Sequence, residues 1–298
     1  MSATPAAPVI VDVLGHAEPT IVDAQLPFIY ADDLAAVRGD GIFETLMLRD
    51  GEVKKLDLHF SRFCSGAQML DLPQPDRARW MRASQLAAEE FVAQNPAQSP
   101  DEQQEAALRW VYSRGRESTG EHTGWITVMP ASPALEVART HGVRVMTAQR
   151  GFSLDLSQPS PWALVGAKTL SYAANMAALR HAKKEGFDDV IFLSDERLVL
   201  EGPTSSVIAL RDKTLVTPPV KSGILPGTTQ SALFAVAQQH GWATAYQPLT
   251  VDELVQSDGV WLVSSVRVQA RVTAIDGQEM PRPEAADEIE NLMRLAVN

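Results

Sequence analysis

Residues 166–207 read GAKTLSYAANMAALRHAKKEGFDDVIFLSDERLVLEGPTSSV. A helix is predicted near 172–185 and a strand near 187–193. A further apolar run, Leu198-Val199-Leu200, ends at Glu201 and enters Gly202-Pro203-Thr204-Ser205-Ser206, a turn rich in hydroxyls. Lys168 stands between the apolar run Trp162–Val165 and the helix. A lysine partly withdrawn from water at such a boundary becomes a usable amine nucleophile. Tyr172 lies one helical turn further on, toward the same side. Glu201, at the end of its strand, is placed to reach a ligand. Taken singly, each residue also fits an ordinary role: a solvated lysine, a core tyrosine, a turn carboxylate.

Outward from this stretch, helices and strands continue to mix. Upstream, Val9–Val13 reads as a strand after a loose tail over residues 1–8. Residues 42–48 and 52–56 read as a hairpin across Arg49-Asp50-Gly51, because Asp-Gly supplies positive φ at the turn. Residues 57–71 form a helix on the spacing of Leu56, Phe60, Phe63, Ala67 and Leu70. A second helix is predicted at 76–94, with Trp80, Leu86 and Phe91 on one side, then strands at 107–113, 124–129 and 143–148. Downstream, strands are expected at 205–210, 214–216 and 259–263. Helices are expected at 228–240 and 251–257, the latter with a capping box of Thr250 and Glu253. The class is α/β or α+β. The organisation expected is a first domain over 1–150, a connection over 151–161 marked by Ser, Gln and two Pro, and a second domain over 162–298.

The bulk numbers narrow the function. The chain has 298 residues, 45% of them hydrophobic, enough for real cores and against disorder. A net charge of −11 and a pI of about 5.0 argue against nucleic acid and against a basic membrane surface. They leave room for a few Arg residues gathered around an anionic ligand. Cys64 is the single cysteine, so no disulfide framework and no multi-cysteine metal site is expected. No signal peptide is read at the start, and no run approaches the ~18 apolar residues of a membrane span. A cytoplasmic location is the expectation by elimination.

Two other segments carry candidate chemistry. Gly223-Ile224-Leu225-Pro226-Gly227-Thr228-Thr229 leads into a helix. Its glycines allow close backbone approach, and a helix N-terminus offers unpaired N–H groups to an anion such as phosphate. Thr228 and Thr229 can add hydroxyl donors. On the first helix, Arg62 sits between Phe60 and Phe63 in His59-Phe60-Ser61-Arg62-Phe63, and an Arg fork suits a phosphate. An ordinary capped helix start and a snorkelling surface arginine remain open beside these readings. His59 reads as structural.

In this order the motifs resemble the class IV aminotransferases, the fold-type IV enzymes that use pyridoxal 5'-phosphate (PLP). The resemblance runs from about residue 28 to 277. It rests on Arg38-Gly39-Asp40-Gly41-Ile42-Phe43-Glu44, His59 with Arg62, Lys168-Thr169-Leu170-Ser171-Tyr172, Glu201-Gly202-Pro203-Thr204-Ser205 and Leu225-Pro226-Gly227-Thr228-Thr229. It implies a two-lobed homodimer: a smaller N-terminal α/β domain and a larger C-terminal domain with a barrel-like sheet. It implies Lys168 as Schiff-base lysine and proton shuttle, Glu201 as partner of the PLP ring nitrogen, and Tyr172 as donor to the ring's phenolic oxygen. Arg62, Thr228, Thr229 and Ser265 are implied at the phosphate. Ser171 departs from the family, where many members carry Asn before the Tyr.

Within the family the resemblance favours aminodeoxychorismate lyase, which releases 4-aminobenzoate and pyruvate. Val111-Tyr112-Ser113-Arg114-Gly115 resembles the Ser-Arg-Gly segment of lyases, whose Arg meets a substrate carboxylate. D-amino-acid transaminases carry a similar Arg-Gly pair, so transamination of D-amino or branched-chain amino acids is the alternative. Branched-chain enzymes usually follow the lysine with a Gly-rich stretch, where Thr169-Leu170-Ser171 stands here. Arg116 and Arg267 are further carboxylate candidates, and Arg114 also fits a structural salt bridge. A degenerate, non-catalytic binding module is the other class to weigh. Retention of Lys168, Glu201, Tyr172 and Arg62 together argues against it.

Overall fold

The computed structural model of the chain describes residues 7–96, 99, 103–154, 156 and 159–298. The expected tail, as far as residue 6, and residues 155, 157 and 158 of the expected connection lie outside the described residues. The chain forms two compact units, one of Met1–Ser132 with Ala167–Ser171, the other of Pro133–Gly166 with Tyr172–Asn298.

The first unit contains β1 (Val9–Asp12), β2 (Thr20–Val22), α1 (Leu34–Arg38), β3 (Gly41–Arg49), β4 (Glu52–Val53), α2 (Leu56–Met69), α3 (Arg77–Gln94), β5 (Glu105–Ser113) and β6 (Thr123–Pro130). Its six strands form an antiparallel sheet in the order β2-β1-β6-β5-β3-β4. The hairpin between β3 and β4 turns where Asp-Gly required it, with φ of 51° at Asp50 and 79° at Gly51. β4 is shorter than expected because Lys55 turns into the left-handed region at φ 55° and starts α2. The spacing that predicted α2 and α3 buries Phe63, Ala67, Leu70, Trp80 and Phe91. Phe63 meets Trp80 edge-on at 4.8 Å between ring centroids and Trp110 at 5.4 Å. The buried indole of Trp110 donates to Ser84 Oγ at 2.9 Å, so this aromatic core leaves its polar handle satisfied.

The second unit contains α4 (Pro133–His141), β7 (Val143–Gln149), α5 (Ala173–Lys184), β8 (Asp189–Leu193), β9 (Ser206–Arg211), β10 (Thr214–Thr217), α6 (Thr228–Gln239), β11 (Ala243–Tyr246), α7 (Val251–Val255), β12 (Gly259–Ser264), β13 (Val268–Ile275), β14 (Gln278–Glu279) and α8 (Ala286–Val297). Its sheet runs β11-β10-β9-β12-β13-β7-β8, with β14 beside β13. β7 pairs in parallel with β8 and β13, and β10 with β11; the other pairs are antiparallel. β7 is the strand expected at 143–148, and it belongs to this sheet. Val145, Ile191, Val207, Leu249, Leu262 and Val272 are among the side chains that fill one core of the unit. Ala182, Val190, Phe192, Leu200 and Ile224 fill another. The capping box predicted at Thr250 and Glu253 is present.

Candidate active site

Two groups of side chains answer to the candidates, one in each unit. In the first, segment 167–171 is tied to the start of β3 through the backbone. Phe43 N–H donates to Lys168 O at 3.0 Å and Leu170 N–H to Gly41 O at 2.8 Å. Gly41 permits this approach, since a Cβ there would fall 2.5 Å from Tyr112 O and 2.8 Å from Leu170 Cδ1. Lys168 is thereby fixed with its Nζ 4.4 Å from the centre of the Phe43 ring, a cation–π contact.

Strand alternation turns Glu44 to the face opposite Phe43. There it is buried against His59 and Arg62, which share a face of α2 at i and i+3. Arg62 grips the carboxylate as a fork, Nε to Oε1 and Nη2 to Oε2, both at 2.7 Å. His59 Nδ1 lies 2.7 Å from Oε2. Burial opposes ionisation of Glu44, but the charge and paired hydrogen bonds of Arg62, with help from His59, outweigh it and hold the carboxyl at about 2. Burial also pushes the His59 imidazole below its ordinary value, against the pull of Glu44 and with the charges of Arg62 and Lys168.

The other arginine candidate positions of this unit have acidic neighbours. Arg114 Nε pairs with Asp40 Oδ2 at 2.7 Å, with about a third of each side chain exposed, and its Nη2 donates to Leu70 O. Arg116 Nε lies 3.3 Å from Asp32, and its guanidinium stacks 4.0 Å above Tyr30.

In the second unit, Tyr172 stands at the start of α5, and its hydroxyl donates to Pro203 O. Asn175, one turn on, donates to the same carbonyl at 2.8 Å and accepts from Arg150 at 2.8 Å. Burial raises the Tyr172 phenol above its ordinary value; Asn175 opposes this, and the charge of Glu201 adds to it. The Glu201 carboxylate accepts from Leu225 N–H at 3.1 Å, which places it beside the Gly223–Thr229 segment. Within the following turn Gly202 N–H donates to Ser205 O. The Ser205 hydroxyl is buried, with no hydrogen-bond partner among the described residues.

α6 begins at Thr228 with Gly227 as its N-cap and no side-chain cap. Its first N–H groups and the buried hydroxyls of Thr228 and Thr229 gather donors at one helix end. Thr228 Oγ1 is 3.4 Å from Ser265 Oγ. Arg267 Nη1 is bound at 2.7 Å by Asp189, whose side chain is 1% exposed.

The structure therefore groups Lys168 with Arg62 in one unit, and Tyr172, Glu201, Thr228, Thr229 and Ser265 in the other. Sequence reasoning assigned no role to Phe43, Glu44, Asn175 or the Ser205 hydroxyl. Glu44 carried the clearest signal: an acid inside the apolar strand IFETLML needs a buried partner.

The sequence pattern of the family described as "Amino-transferase class IV" matches residues 41–275. The chain is 43% identical over 284 residues to a Mycobacterium tuberculosis protein named "Bifunctional aminodeoxychorismate lyase / D-amino acid transaminase", covering 93% of this chain and 96% of that one. A hypothetical aminotransferase from Mycobacterium tuberculosis, solved in a PLP-bound form and in a form with alpha-ketoglutarate and PMP, superimposes with TM-score 0.91 at 43% identity over 97% of this chain and 98% of its own. The fold IV-transaminase CpuTA1 from Curtobacterium pusillum gives TM-score 0.90 at 38% identity, over 97% of this chain and 99% of its own.

Proposed function

From the premise that this chain belongs to the class IV aminotransferases, PLP-dependent enzymes of fold-type IV, we propose that it is an aminodeoxychorismate lyase, converting 4-amino-4-deoxychorismate to 4-aminobenzoate and pyruvate. The observation that carries this reading is the 43% identity, across nearly both whole chains, to the relative named for that lyase activity. The same name includes D-amino acid transaminase, and one of the similar structures holds alpha-ketoglutarate with PMP. Transamination of D-amino acids is therefore the second reading. The homodimer and the cytoplasmic location expected from the sequence belong to the same proposal.

The residues present fit PLP. The donor set offers a primary amine, a strand-end carboxylate, a buried phenol, and buried hydroxyls at a helix start whose N-cap is a glycine. The buried Ser205 hydroxyl, in the turn after Glu201, has no hydrogen-bond partner among the described residues, which leaves it a donor for a bound group. Bound PLP supplies an aldehyde for a primary amine and a ring that accepts the electron pair left when a proton departs.

In this reading Lys168 Nζ takes the α-proton of the substrate and returns it, steadied meanwhile by the face of Phe43. Glu201 keeps the ring nitrogen protonated, with Leu225 N–H holding the carboxylate in place. Tyr172 would turn its O–H from Pro203 O to the phenolic oxygen, leaving that carbonyl to Asn175. Arg62, Thr228, Thr229 and Ser265 take the phosphate. Arg114 remains the proposed contact for a substrate carboxylate, and Arg116 stands beside it as a further candidate. Arg267 carries that proposal least, because Asp189 already holds it. The deciding experiment incubates the enzyme with 4-amino-4-deoxychorismate, and separately with D-alanine or branched-chain amino acids plus 2-oxoglutarate, and identifies the products. 4-Aminobenzoate and pyruvate support the lyase. Only new amino and oxo acids would replace it with a transaminase.

A further inference from the structure

We propose that Arg139 is a positioning residue for the cofactor phosphate, acting by holding the turn that carries Ser265. The inference rests on the reading above, in which Ser265 and Thr228 meet that phosphate. β12 and β13 close on the pair Ser264 and Val268, leaving Ser265-Val266-Arg267 as the turn. Val268 sits at φ 67°, a region that a β-branched residue rarely adopts and that persists only where surrounding contacts impose it.

One such contact lies within the hairpin, where Gln269 N–H donates to Arg267 O at 2.9 Å, and others come from outside it. Arg139, in the last turn of α4, donates Nη2 to Val266 O at 2.7 Å and Nε to Arg267 O at 2.9 Å. One guanidinium thus spans the two carbonyls that follow Ser265, a fork that a lysine ammonium cannot reproduce. Gln269 Nε2 donates back to Arg139 O at 3.1 Å, and Asp189 secures the Arg267 side chain at 2.7 Å. The Arg139 side chain is 17% exposed, while no residue of α4 is fully buried. Arg139 Nη1 also lies 3.3 Å from Glu136, a mostly exposed residue of the same helix, while Nε and Nη2 reach inward to the two carbonyls of the turn. Fixing the peptides of Val266 and Arg267 fixes the Cα–Cβ direction of Ser265, and so its hydroxyl relative to Thr228 Oγ1.

A staple that merely joined α4 to the hairpin would predict a different behaviour, and the phosphate separates the two. Full-length Arg139→Met, Arg139→Lys and Ser265→Ala proteins are stripped of cofactor and titrated with PLP and with pyridoxal, which lacks the phosphate. Binding is followed by tryptophan fluorescence. In Arg139→Met the PLP dissociation constant should rise about tenfold while that for pyridoxal stays within about twofold, the loss of roughly one charge-assisted contact. Arg139→Lys should show a smaller loss of the same, phosphate-specific kind, and it decides the matter if the Met variant does not fold. Equal losses for both ligands, or unchanged PLP affinity in the Arg139 variants, would overturn the proposal. A phosphate-specific loss in Ser265→Ala beside unaffected Arg139 variants would sink this inference alone. No phosphate-specific loss in Ser265→Ala would remove the reading of Ser265 and this inference with it.

Discussion

Replacing Glu44 by Gln removes the negative member of a buried cluster and leaves the Arg62 guanidinium beside a neutral amide. Arg62 is 11% exposed and Glu44 1%, so water can do little to compensate. A carboxyl held at about 2 instead of an ordinary 4.5 is stabilised in its charged form by roughly 3 kcal/mol, at ~1.4 kcal/mol per pH unit. Breaking one side of a buried ion pair costs about 3–5 kcal/mol by general experience, so the two estimates agree. The sign follows from the depressed value. The contribution is complete above the unfolded value and is lost as pH falls through the folded one, between about 4.5 and 2. Cofactor-free Glu44→Gln should therefore melt ~10 °C lower at pH 7, and its acid limb between those values should be flatter than the wild type's. Adding Arg62→Met should recover much of the loss, because an uncharged pair leaves no buried charge unmatched. Thermal denaturation by circular dichroism, from pH 7 downward, measures all three. A single variant within about 1 kcal/mol of wild type, or a double variant no better than the single, would refute the cluster as described.

Other expectations follow from the remaining groups. Glu201→Gln should slow α-proton removal, seen as a lower kcat with a larger substrate deuterium isotope effect, far more than it weakens PLP binding; unchanged turnover would make Glu201 only a turn residue. Arg114→Ala should lower kcat/KM for a carboxylate substrate by about tenfold, the low end for an Arg contact because the side chain is partly solvated and shared with Asp40. Loss of PLP or of folding in that variant would assign Arg114 to structure alone. Light scattering at micromolar protein should report a dimer, and a monomer would remove the assembly from the proposal.

The fold was legible where the chain repeats its apolar residues at a clear period. β6 and α2 were readable because one face of each is more buried than the other, and β3 and β5 because they are apolar runs buried along most of their length. The Asp50-Gly51 turn was readable because its backbone demands those residues. α4 was not, since Pro133–His141 is only nine residues long and its inward side chains, Ala138 among them, are only partly buried. β13 was missed although Val268, Ala270, Val272 and Ala274 alternate inward, because its small alanines and its Arg271 dilute the pattern. α8 was missed although Ile289, Leu292, Met293 and Ala296 mark its buried face at helical spacing. For the proposed site, ordered motifs singled out Lys168, Glu201 and the Gly223–Thr229 segment. Partnerships across long separations in the chain, such as Glu44 with Arg62 or Arg139 with the 265–267 turn, have no local signal and needed the fold.

Lys168 is the proposed carrier of PLP. The purified protein with PLP is treated with borohydride, which converts a carbon–nitrogen double bond to a stable secondary amine, then digested and mapped by mass spectrometry. A phosphopyridoxyl group is expected on the peptide containing Lys168, at that residue, and none in Lys168→Ala. A label on any other lysine, or no label in protein that has bound PLP, would contradict it.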